Sequence, residues 1–115
     1  MEDRPMTPRE AWEKMQETGE ISPGMGAVNA AFAKAILRRQ ANVMRQESCV
    51  IAMEESDPSA EPWTVSLVLT DGKLSAEGCN TLVKMRSNAH RAELVKCPEG
   101  GLEKLVFYVY TKEVE

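Results

Sequence analysis

From Ile21 to Gln46 the chain carries four basic residues and no acid, between segments that are strongly acidic. This stretch, continued to Glu47, is the longest helical pattern in 115 residues, and a chain of that length makes one domain with one core. A single long helix cannot bury its own apolar stripe, so the rest of the chain has to supply a layer for it to cover. Ser22-Pro23 is a helix start signal, a cap followed by proline. Gly24 and Gly26 weaken the first turn, so regular helix is expected from near Ala27. At 100° per residue Met25, Phe32, Ile36 and Val43 fall within about 40° of one another, with Val28 and Ala35 at the margin. That arc is expected to face inward. Lys34, Arg38 and Arg45 share another arc, roughly opposite, and Arg39 projects near the apolar side.

The layer is supplied by segments with strand periodicity. Cys49–Met53 reads as a short strand. Trp63 to Thr70 alternates, with Trp63, Val65, Leu67 and Leu69 on one face. Between them Glu54–Pro62 is a polar, proline-punctuated acidic loop. Asp71-Gly72 is a turn, and Ser75 caps a helix expected to reach Ala89, with Cys79, Leu82, Val83 and Arg86 along one side. His90–Lys96 is a strand with Ala92 and Leu94 inward, followed by a turn at Pro98–Gly101. Leu102–Thr111 sets Leu105, Phe107 and Val109 on one face and Val106, Tyr108 and Tyr110 on the other. Apolar on both faces, it suits a central strand or half of an interface.

Ahead of all this, Thr7-Pro8-Arg9-Glu10 is a capping box opening a helix from Pro8 to about Thr18, stopped by Gly19 and docked through Trp12. Residues 1–6 are expected to be disordered, and 7–115 to form the domain. The order is α-α-β-β-α-β-β, an α+β fold. Its expected core is a four-stranded antiparallel sheet of two hairpins joined by a helix, with the long helix on one face.

Charge segregation is the unusual feature. Residues 1–20 hold three bases and six acids, residues 21–46 four bases and no acid, and residues 47–62 five acids and no base. Two arrangements follow. The acidic loop (Glu54, Glu55, Asp57, Glu61) can lie against Lys34, Arg38 and Arg45 and neutralise them, each exposed pair contributing only ~0.2–1 kcal/mol. Alternatively those three cations meet an acidic partner, a protein or a phosphate backbone. Few bases, no interleaved aromatics and a net charge of −4 put nucleic acid second to protein. Tyr108 and Tyr110 mark a sheet face that is either solvated or meets a second subunit.

Other chemistry has weak support. Pro23-Gly24-Met25-Gly26-Ala27 lacks the third glycine, preceding strand and lysine of a phosphate cradle. The loop acids lack the spacing and turn glycine of a calcium site. Three cysteines and one histidine do not make a zinc site. His90 and Cys97 stand about 23 Å apart on an extended strand, too far for a dyad. No cofactor or metal is expected. The three unpatterned cysteines, the polar N-terminus and the lack of a membrane-spanning apolar run suit a cytoplasmic protein. The expectation is a small non-enzymatic protein-interaction module: a regulator, adaptor or inhibitor of bacterial or phage type, and a candidate homodimer.

Overall fold

The computed structural model describes residues 7, 9–13, 30–70, 72–97 and 100–110. The expected disorder of residues 1–6, most of the first helix, and Met25, Val28 and the glycine pair lie outside them. The capping box is formed as its residue types require. The Thr7 amide donates to Glu10 Oε1 (2.9 Å), and the Glu10 amide donates to Thr7 Oγ1 (3.1 Å). Helix follows over residues 9–13, burying Ala11 against the core and resting Trp12 beside it.

The remaining elements are α1 (Ala30–Met44), β1 (Val50–Glu55), β2 (Trp63–Leu69), α2 (Ala76–Asn88), β3 (Arg91–Lys96) and β4 (Glu103–Val109). The strands form one antiparallel sheet in the order β1-β2-β4-β3, two hairpins meeting along β2 and β4. Cross-strand partners Trp63↔Val109, Val65↔Phe107 and Leu67↔Leu105 put the large apolar residues of both central strands on one face, all fully buried. The α+β reading therefore holds, with β1 running two residues further into the acidic loop than its apolar pattern indicated.

Long-helix orientation differs from the sequence expectation. The residues of α1 that turn inward are Ala33, Leu37, Ala41 and Met44. Phe32 is 62% exposed and Val43 50%, with Ile36 half-buried. Counting large side chains alone selects the wrong arc. Two alanines spaced eight apart let the helix backbone approach the sheet closely, and Leu37 and Met44 then fill the space on either side. α2 shows the same substitution of small for large. Gly78, Leu82 and Met85 are buried, whereas Val83, expected on the packed side, is exposed.

Gly78 leaves room for a long-range contact. Ser75 caps α2, its Oγ accepting from the Gly78 amide (3.0 Å). The carboxylate of Glu47, 28 residues earlier, accepts from both the Ser75 amide and hydroxyl at 2.8 Å. A methyl group added at Gly78 would lie 2.7 Å from that carboxyl carbon. An anion at a helix start is electrostatically favourable, so the cap is chemically sound as well as close.

The two sheet edges differ. β1 has a bulge between Val50 and Ala52, leaving Ile51 unpaired and exposed, and Glu55 near its end is bound to Arg38. β3 pairs with β4 over six consecutive residues without a shift.

Candidate interaction surface

The basic arc of α1 meets the acidic segment at one ion pair and one carbonyl contact. Arg38 donates through Nε (2.9 Å) and Nη2 (2.7 Å) to Glu55, a two-donor pair that raises the guanidinium pKa through the hydrogen bond first and the charge second. Lys34 Nζ donates to the Pro58 carbonyl (3.3 Å). Beneath them the buried Trp63 ring presents its face to both cations, at 5.9 Å from Lys34 and 5.8 Å from Arg38. The indole N–H of Trp63 has no hydrogen-bond partner among the described residues. Arg45, the third cation of the arc, is exposed and forms no ion pair among the described residues. Two of the three basic residues are thus already engaged.

The loop acids do not converge. Glu54 pairs with Lys104 (2.9 Å), Glu55 with Arg38, and Asp57 accepts from the Ser59 hydroxyl and amide, which lower its pKa. Glu61 is exposed at the loop's end. Among the described residues no group of three or more His, Cys, Asp or Glu side chains is placed to hold a metal ion, and no helix is long and apolar enough to cross a membrane.

The face of the sheet away from the helices carries the other candidates. Alternation along β4 puts Lys104, Val106 and Tyr108 there, and pairing adds Ser66 and Val68 from β2 and Arg91, Glu93 and Val95 from β3. Ser66, Val68 and Val106 are buried although no described helix covers them. The Lys104–Glu54 pair spans β2 diagonally, since Lys104 stands opposite Val68 and Glu54 opposite Ser66.

At the far corner Tyr108 Oη donates to Glu93 (2.7 Å), raising the phenol pKa, and Arg91 pairs with the same carboxylate. The Arg91 guanidinium sits 5.1 Å from the Tyr108 ring centroid, and its own pKa is raised by hydrogen bonding to Tyr110, then by Glu93. His90 accepts the Tyr110 amide at Nδ1 (3.0 Å) and meets the Tyr110 ring edge to face at 5.5 Å. Tyr108 and Tyr110 are therefore brought together, in company with His90, Arg91 and Glu93, a grouping that sequence reasoning missed. The alternation of β3 was visible. The register that sets Arg91 opposite Tyr108 and Glu93 opposite Val106 was not.

Elsewhere, potential reactive groups are held quiet. Cys49 is buried, and burial followed by the charge of Glu47 raises its pKa; Cys79 is raised by the same two causes. Arg86 is lowered by burial and donates to the Ala89 carbonyl at the end of α2. A cleft of about 300 Å³ opens beside Thr70, Lys96, Cys97 and Leu102, but its guanidinium, Arg9, is paired with Glu103 at 2.7 Å. No protein-family model, curated protein or solved structure matches this chain.

Proposed function

We propose that the chain is a small non-enzymatic protein-interaction module, a regulator, adaptor or inhibitor, that recognises its partner with the β3–β4 corner of the sheet face that no described helix covers. The observation that carries this is the Arg91–Tyr108 stack. An arginine and a tyrosine, the residue types that concentrate binding energy at protein interfaces, are fixed against one another and against Glu93 before any partner arrives. Such pre-organisation removes part of the ordering cost of association. The basic arc supports a nucleic-acid role less well, because Lys34 and Arg38 are engaged by the chain's own loop. Three cysteines without disulfides support a reducing, cytoplasmic setting, and the size suits a bacterial or phage accessory protein.

The test is affinity capture from the native cell with wild type and an Arg91→Glu/Tyr108→Asp variant as baits, after matching their circular dichroism and melting. A protein recovered in stoichiometric amount by wild type and lost by the variant is the expected result. Equal recovery by both baits, or recovery of nucleic acid alone, would overturn it.

A further inference from the structure

We propose that a second copy of this chain is a partner, and that the two pair through β3, edge to edge and antiparallel, into one eight-stranded sheet. This rests on the protein-binding reading above and gives it a definite occupant.

The backbone of β3 is prepared for it. Cys97 N–H donates to the Leu102 carbonyl (3.0 Å), continuing the β3–β4 register, so the odd-numbered residues of β3 bond inward to β4. Ala92, Leu94 and Lys96 then point their N–H and C=O groups at the open edge, where no described strand meets them. An unpaired edge is a template for another strand unless it is blunted. The opposite edge is blunted, by the bulge at Ile51 and the acidic run behind it. β3 has no bulge and no proline between Arg91 and Lys96, and its charges (Arg91, Glu93, Lys96) are of both signs, so they can be matched by a second copy where a run of acids cannot.

Charge and chemistry discriminate among the registers centred on Glu93, Leu94 and Val95. Residues opposite one another in an antiparallel pair share a face, so a two-fold pairing of β3 must be centred on a residue. Centred on Glu93, it sets that carboxylate directly against its own copy. Centred on Val95, it sets Ala92 against Pro98, which has no N–H to give. Centred on Leu94, it opposes Leu94 to the partner's Leu94, Ala92 to the partner's Lys96, Glu93 to the partner's Val95 and Arg91 to the partner's Cys97. No like charges are opposed, and every outward donor finds an acceptor. Ala92 and Leu94, partly buried beside the core, become continuous across the axis. Val95, 43% exposed in the single chain, is covered by the Glu93 stem.

Light scattering on the full chain should give twice its mass, falling to the single-chain value on dilution. Val95 is on the solvated face opposite the chain's own Lys104, a contact present in single chain and dimer alike, so it cancels from the dissociation constant. Val95→Lys meets the partner's Glu93 and should tighten the dimer, and Val95→Glu should loosen it. Two such contacts per dimer make each change roughly two- to thirty-fold in dissociation constant. With Cys97→Ser removing the native thiol from the edge, Leu94→Cys should cross-link to itself, its Cα atoms being about 5.5 Å apart in a hydrogen-bonded pair. The inference is overturned by a single-chain mass for wild type at every concentration, by equal responses to the two Val95 changes, or by cross-linking of Glu93→Cys in place of Leu94→Cys. A single-chain mass would leave the capture result with Arg91 and Tyr108 standing. An intact dimer with unchanged capture by the double variant would remove the recognition corner instead.

Discussion

The two faces of the sheet exclude water by different means. On one, Trp63, Val65, Leu67, Leu105, Phe107 and Val109 are sealed by helices. On the other, Ser66, Val68 and Val106 are nearly as inaccessible at 6–9% exposure, the Lys104–Glu54 pair runs across β2 there, and none of the three belongs to the apolar core. Burial alone therefore does not distinguish a core residue from one beneath a charged side chain. What distinguishes them is how easily the cover can move aside, and only the second face can be uncovered without unfolding.

Truncation should expose the difference. Phe107→Ala opens a cavity in the sealed layer and should cost about 3–5 kcal/mol by urea unfolding. Val106→Ala, one position away and facing outward, should cost about 1.5 kcal/mol, the transfer value of its methyl groups, because nearby side chains settle into the space. A Val106→Ala cost near that of Phe107→Ala would mean that the outer layer is as rigid as the core. Lys104→Ala should cost no more than ~1 kcal/mol, and 1 M salt should mask most of the difference from wild type. The smallest effect at neutral pH is acid–base. Cys49, Cys79 and Tyr108 all have folded-state pKa values raised above the ordinary 9.0 and 10.0, the thiols mainly by burial and the phenol mainly by its hydrogen bond to Glu93. Each favours its protonated form on folding. Their stabilisation is complete below those ordinary values and is lost as pH rises through the folded ones, so the urea midpoint should fall from about pH 9 upward. Tyr108→Phe should flatten part of that fall, and an unchanged slope would show that the Glu93 bond is not maintained in solution.

Local chemistry was legible in the sequence wherever neighbouring residues complete the motif. The Thr7–Glu10 capping box, the Ser75 cap and the alternation of β2 all occur as the residues indicate. The inward face of α1 was not legible, because the apolar arc containing Phe32 and Val43 competes with a smaller-volume arc containing Ala33 and Ala41. Only the closeness of the sheet decides between them. For the same reason the loop acids could be matched with the basic arc by sign but not assigned individually: Glu55 took Arg38, whereas Glu54 reached across β2 to Lys104. The Arg91–Tyr108 corner depends on a register between strands, and alternation within one strand carries no information about that.

The Glu47 carboxylate has a consequence for the order of folding. Glu47 precedes β1 and Ser75 follows β2, so the two meet only after the first hairpin has closed. Isolated helices of this length nucleate poorly, and the first turn of α2 gains its distant anion at the moment the hairpin forms. Strand pairing and helix initiation are thereby coupled through one side chain. The second hairpin, which hangs from the far end of α2, is committed by a glutamate at the start of the first.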